Sequence, residues 1–288
     1  MDIRNIKIEA PELEIGHLEF IYDKGKEQLL QYMNVENLPG YPLDVNTRKS
    51  QVILKDFIGR VIEELFEGYE SVKEAIEVLD PVGFNTDLLS KKDYVDVLNS
   101  IQNANEEQAD ALGFYVTLFV YSNILPEDIY EYCRQAYGRS IISLNEVLSL
   151  GASRLYLKDT IDSHNHRYQI IDDNWLDIIY GNNGISTRAA MAEYMPGFNS
   201  ISSCELDTQM CQLWLVIREL NNARNLLKNR PWKQTEVMTK EIDFQESLVK
   251  SFIYYLGYLA DRGFDQNKLV TIFNRKQALN MWRIKTGY

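Results

Sequence analysis

Two pairs of carboxylates in this chain share one spacing. In VIEELFEGYES (61–71) Glu64 and Glu67 are three residues apart, and in ANEEQADALGFYVTLFVYS (104–122) Glu107 and Asp110 repeat the interval. On a helix that interval puts both side chains of a pair on one face. A bundle that brings the two faces together gathers four carboxylates, the hard-oxygen environment that Mg2+ or Mn2+ prefers. With 42 acids in the chain, roughly six such pairs arise by chance, and most charged helix faces are simply solvated. The second pair differs in its neighbours. The apolar run ALGFYVTLFVY directly after Asp110 places this residue at the edge of a core, where an unpaired carboxylate is costly and calls for a cation or hydrogen bonds. Glu63 and Glu70 fall off this face and read as solvated.

The complementary charges lie far along the chain. From Phe264 to Tyr288 there are five basic side chains, Lys268, Arg275, Lys276, Arg283 and Lys285, against the single acid Asp265. Steps of four and three put Lys276, Asn280 and Arg283 on one helical face, which their polarity marks as exposed and as a candidate anion site. Other groups carry less. His164 and His166 have no third ligand nearby, Asp172, Asp173 and Trp175 read as a surface loop, and FIYYLGY (252–258) reads as bundle core.

Helices must position these groups. In 51–79 the apolar residues Ile53, Phe57, Ile58, Val61, Ile62 and Leu65 recur at three- and four-residue steps, and Asn46-Thr47 offers N-caps before them. Segments 104–122, 127–149, 207–228, 239–262 and 266–284 read the same way, with Leu125-Pro126, Arg230-Pro231 and Arg262-Gly263 as breakers. FYVTLFVY (114–121) has the composition of a strand, but its flanks continue a helix, so it is expected to be a buried helix middle. Between 151 and 205 the periodicity weakens into Asn-, Gly- and Ser-rich sequence, which predicts a partly irregular connector.

The formal charge of −12 excludes a surface built to neutralise a nucleic-acid backbone. No apolar run approaches a membrane span. Cys133, Cys204 and Cys211 are odd in number and lack zinc spacing, so they are expected to be buried thiols in a reducing compartment, and the chain to be cytoplasmic.

The motifs Glu64-Leu-Phe-Glu67 and Glu107-Gln-Ala-Asp110 together resemble the signature of the all-α nucleoside triphosphate pyrophosphatases, the superfamily of dimeric dUTPases, dCTPases and MazG proteins. The tail RKQALNMWRIKTGY is similar to the closing helix of dimeric dUTPases at Lys276, Asn280, Arg283, Gly287 and Tyr288. Gln31 and Asn34 in LLQYMN stand where that resemblance implies base-reading residues. It implies an all-α fold and hydrolysis between the α- and β-phosphates of a nucleoside triphosphate. Glu64, Glu67, Glu107 and Asp110 would then hold Mg2+ (or Mn2+), one of the glutamates would activate water, and Lys276, Asn280 and Arg283 would grip the phosphates.

VIRELNNARNL (216–226) echoes VIEELFEGYES at four positions. A shift of 155 aligns Glu64 with Glu219 but Glu67 with Asn222, and a shift of 140 aligns Asp110 with Lys250 and Glu107 with Ser247. The sequence therefore predicts a helical bundle of two degenerate repeats, 1–150 and 206–288, joined by the connector 151–205. The first repeat keeps the acids and the second keeps the basic tail, so one chain would form a pseudo-dimer with a single composite site, as a monomer or a homodimer. Two other readings fit the same residues: a nucleotide-sequestering module without turnover, and a structural helical protein with solvated acids.

Overall fold

The computed structural model describes residues 11, 13, 16–83, 86–138, 140–151, 203–229 and 237–287. Among them the chain is all-α, with eight helices: α1 (His17–Glu36), α2 (Arg48–Leu79), α3 (Lys91–Tyr121), α4 (Pro126–Tyr137), α5 (Leu144–Gly151), α6 (Ser203–Leu226), α7 (Glu241–Asp261) and α8 (Gln266–Thr286). No strand occurs among the described residues.

Local chemistry sets the boundaries of the long helices. The Thr47 hydroxyl caps α2 by accepting from the Ser50 amide at 3.2 Å, and after Leu79 the helix tightens into a 3-10 turn, Asp80–Val82, which Gly83 closes in a left-handed conformation (φ 59). Ser90 caps α3 in the same way, accepting from the Asp93 amide at 3.2 Å. That cap starts α3 well before residue 104, where its apolar periodicity first becomes clear. Leu54, Ile58, Val61, Leu65 and Val72 form the buried stripe of α2, and every residue of 115–121 is buried, as expected for a helix middle.

Two antiparallel hairpins make the centre. In the first, α2 and α3 pair Phe57 with Phe114 and Tyr121 at ring separations of 6.0 and 5.8 Å. In the second, α6 and α7 are joined by the Gln212 amide on the Asp261 carboxylate and by the Ser251 hydroxyl donating to the Val216 carbonyl at 3.3 Å. The hairpins meet where α3 crosses α7. Tyr115 stacks on Tyr255 with centroids 5.2 Å apart, its hydroxyl lies 2.5 Å from Ser251 Oγ, and the Tyr255 hydroxyl donates to the Gln108 carbonyl at 2.7 Å. Phe252 packs edge-on to Phe119 at 5.0 Å, so FIYYLGY is bundle core. A single apolar cluster runs from Leu18 in α1 to Phe273 in α8, through both halves of the chain.

Polar groups fasten the far end. Gln51 donates to the Val45 carbonyl and accepts from the Asn229 amide, both at 2.8 Å, while Asn229 Nδ2 donates to the Asn46 carbonyl at 2.8 Å. The start of α2 is thereby tied to the chain leaving α6.

Some expectations need correction. The segment 127–149 is two helices, because Gly138 takes a left-handed conformation (φ 64) that closes α4. Helix α1 has no counterpart in the sequence reading: charges at Glu19, Asp23, Lys24, Lys26 and Glu27 break up the apolar pattern of its first half. Cys133 is buried but Cys211 is exposed, on the outer side of α6. The connector, apart from residue 151 and the start of α6, lies outside the described residues, and with it His164, His166, Asp172, Asp173 and Trp175. No described helix is long and apolar enough to cross a membrane.

Candidate active site

The antiparallel pairing of α2 with α3 brings Glu64 opposite Glu107 and Asp110. One carboxylate oxygen from each of these three residues lies within 4.8 Å of the others, and all three side chains are half-buried. Glu64 is placed there by its position in α2. It sits beside Val61 and Gly68 on the edge of the buried stripe, whereas three further residues turn the helix by about 300° and carry Glu67 roughly 60° further outward. Glu67 is accordingly exposed and stands at the rim, close enough for its charge to act on Glu64 and Glu107. The sequence led us to expect four converging carboxylates; three converge. Glu63 and Glu70 are exposed, and Glu70 pairs with Lys73 at 3.2 Å.

Helix α8 lies antiparallel to α3 and delivers a cation. Lys276 Nζ is 2.7 Å from Asp110 Oδ2 and 3.8 Å from Glu106 Oε2. Lys276 is only 9% exposed, so the expectation of a solvated face fails at this residue: the ammonium points inward, to the acids. Asn280 and Arg283 are half-buried one and two turns on, and Arg283 is near enough to favour the ionised form of Asp110. Asp110 at the core edge does have the cationic partner that its position demands; the charge and spacing of the tail singled out Lys276, but not its pairing with Asp110.

Gln31 and Asn34 are exposed on α1. Helices α1 and α8 run parallel, with His17 Nε2 and Asn267 Oδ1 2.9 Å apart near their starts. A Cβ on Gly25 would collide with Val116, which fixes α1 closely against α3. Counting along the two helices from that contact puts Gln31 at about the level of Asp110. Gln31 is thus at the right height in the bundle and turned outward.

The electrostatics are those of a site short of positive charge. Burial, a hydrogen bond to Glu107 and the charges of Asp110, Glu107 and Glu67 push the Glu64 carboxyl up to about 8. Burial also raises Glu107, and it raises Asp110 in spite of the Lys276 ammonium and Arg283. Burial works against the charge of Lys276, but Asp110 and then Glu106 and Glu107 outweigh it and hold the ammonium protonated. In the same turn of α3, Asn105 Oδ1 and both amide atoms of Gln108 are buried without a hydrogen-bond partner, and the Gln108 amide lies over Gly68, one turn along α2 from Glu64. Three convergent carboxylate oxygens, with burial and mutual repulsion disfavouring their charge, are a donor set that suits a small divalent ion such as Mg2+ or Mn2+.

The position that aligns with this cluster in the second hairpin is built differently. Glu219 is buried and is held by Arg218 at 2.9 Å, by Asn222 Nδ2 at 3.1 Å and by Lys250 Nζ at 3.8 Å. Asn222 and Lys250 are the residues that the two sequence shifts set against Glu67 and Asp110. Compared with family models, curated proteins and solved structures, the chain matches none.

Proposed function

We propose that this protein is a divalent-metal-dependent pyrophosphohydrolase of nucleoside triphosphates, similar in chemistry to dUTPases and dCTPases, that releases a monophosphate and pyrophosphate. The observation that carries the reading is the convergence of Glu64, Glu107 and Asp110 with the Lys276 ammonium brought against them from α8. A triphosphate needs both kinds of group, anionic oxygens for the metal it travels with and cations for its own charge.

Glu64, Glu107 and Asp110 would hold Mg2+ or Mn2+, which when bound neutralises phosphate charge and makes a water more acidic. A glutamate at the site, Glu67 on the rim or Glu64, takes a proton from the attacking water as its oxygen bonds to the α-phosphorus. The bond from that phosphorus to the bridging oxygen breaks, and the electron pair leaves with pyrophosphate. Lys276 and Arg283 stabilise the charge that grows on the leaving group, and Asn280 donates a hydrogen bond to it. Gln31 and Asn34 on α1 are the candidates for contact with the base.

The exposure of Glu67 favours one second reading, a module that binds nucleotide without turnover. One experiment separates the two: a panel of dNTPs and NTPs with Mg2+, read by pyrophosphate release and in parallel by thermal stabilisation. The enzyme reading expects pyrophosphate from at least one pyrimidine deoxynucleotide, lost with EDTA and in Glu64→Gln. Stabilisation without release would favour the sequestering module, and neither signal from any nucleotide would overturn both readings.

A further inference from the structure

We propose that Lys276 is the resident cation of the acidic cluster in the metal-free protein, and that a divalent ion entering the cluster displaces its ammonium from Asp110 onto Glu106. Glu106 is thereby a positioning residue, the second berth that keeps Lys276 beside the site. The inference rests on the metal-binding reading of Glu64, Glu107 and Asp110, and adds to it what occupies those oxygens first and where that occupant goes.

Two distances distinguish the berths. Lys276 Nζ lies 2.7 Å from Asp110 Oδ2, a full charge-assisted hydrogen bond, and 3.8 Å from Glu106 Oε2, an ion pair without one. Asp110 is at the same time one of the three residues whose oxygens converge within 4.8 Å. An Asp110 carboxylate that coordinates a metal gives up charge and lone pairs to it, and two cations repel across so short a distance. The ammonium must therefore loosen from Asp110. It cannot simply go to water, because Lys276 is 9% exposed and its stem is packed in α8 against α3. Glu106 is one residue before Glu107 on α3, half-buried, and already in reach. Gln102 Nε2 donates to Glu106 Oε1 at 3.0 Å, which leaves Oε2 facing the ammonium. A short slide of a flexible lysine thus exchanges a shared carboxylate for a private one. The slide also sets the ammonium free of the metal ligand, ready for a phosphate oxygen.

The test is Mn2+ binding by the full chain in the absence of nucleotide, followed by electron paramagnetic resonance of the free ion. Lys276→Met keeps the length of the side chain and removes its charge, so it should tighten Mn2+ binding by roughly tenfold, the mark of a displaced competitor, even as it weakens turnover. Arg283→Met removes an equal charge that has no contact with Asp110, and should tighten binding by less. Glu106→Gln should loosen Mn2+ binding, since Lys276 then has no second berth. In the double variant Lys276→Met/Glu106→Gln most of that loosening should disappear. Lys276→Gln serves as a second variant if the methionine destabilises the fold, with thermal melts as the control. Wild-type protein that binds no Mn2+ would remove the functional reading and this inference together. Wild-type binding that Asp110→Asn abolishes but Lys276→Met leaves unchanged or weaker would overturn this inference alone. So would equal tightening by Lys276→Met and Arg283→Met, which would reduce the effect to net charge.

Discussion

The two hairpins place a buried or half-buried glutamate at matching registers and satisfy it in opposite ways. In α6 and α7, Glu219 is one acid among side-chain cations and an amide, Arg218, Lys250 and Asn222, so the cluster closes on itself. In α2 and α3, three acids converge with one ammonium in contact, and Glu64 responds by holding its proton up to about pH 8. A carboxylate taken out of water demands a counter-charge in either place. Where the chain supplies that charge in full, the result is structure; where it supplies only part, the remainder can come from a ligand. The comparison makes the deficit, rather than the acids as such, the mark of the candidate site.

The largest expected effect is on turnover. Glu64→Gln, Glu107→Gln or Asp110→Asn should each lower Mg2+-dependent pyrophosphate release by roughly a hundredfold or more. Glu219→Gln should leave the rate per folded molecule near wild type. An equal loss at Glu219 would break the contrast between the hairpins. A second effect concerns stability and reverses their roles. Lys250→Ala leaves Glu219 with one cation fewer and should cost about 1–2 kcal/mol in urea unfolding, a value reduced by the partial exposure of Lys250, with no change on adding Mg2+.

The third effect is a pH dependence peculiar to the first hairpin. The Glu64 carboxyl has an ordinary value of 4.5 and is raised to about 8 in the fold. Between those values the folded chain keeps a proton that the unfolded chain has lost, so stability contributed by this group declines as pH rises from 4.5 to 8 and is flat beyond. Burial raises Glu107 and Asp110 in the same direction. Metal-free protein should therefore melt higher at about pH 5 than at about pH 8.5, by roughly 3 °C from this cluster. Glu64→Gln should flatten the profile, as should saturating Mg2+, whereas Glu219→Gln should leave its slope unchanged. The smallest effect is at the solvated pair: Glu70→Gln, which breaks the exposed contact with Lys73, should leave both the melting temperature and turnover at wild-type values.

Much of this arrangement was legible in the residues, for physical reasons that can be named. Periodic apolar steps revealed α2 and α8, the Thr47 cap fixed where α2 begins, and the apolar run after Asp110 located that carboxylate at a core edge. Composition misled about Lys276, because a lysine in a basic tail reads as solvated until the acids that neutralise it are brought against it by tertiary packing. Spacing likewise overstated Glu67: an interval of three shares a face only to within about 60°, and here that offset separates the converging oxygens from the rim. Glu106 gave no sign at all, since one more acid beside Glu107 acquires meaning only from the ammonium across from it. The split between α4 and α5 rested on a single glycine in a segment whose apolar pattern runs on past it.

The Tyr115–Tyr255 crossing, through which α3 leans on α7, has a consequence for the order in which the molecule comes into being. On a ribosome the α2–α3 hairpin emerges with its cluster of carboxylates complete, long before α7 offers its aromatic face and α8 its lysine. Until then the nascent hairpin has an uncovered apolar side and mutually repelling acids, so it gains little by folding early. The arrival of α7 covers the one, and α8 brings the other a partial counter-charge. A chain interrupted before α8 would carry the acids without the Lys276 ammonium, and would display that incompleteness as exposed apolar surface that α8 otherwise covers, open to chaperones and proteases.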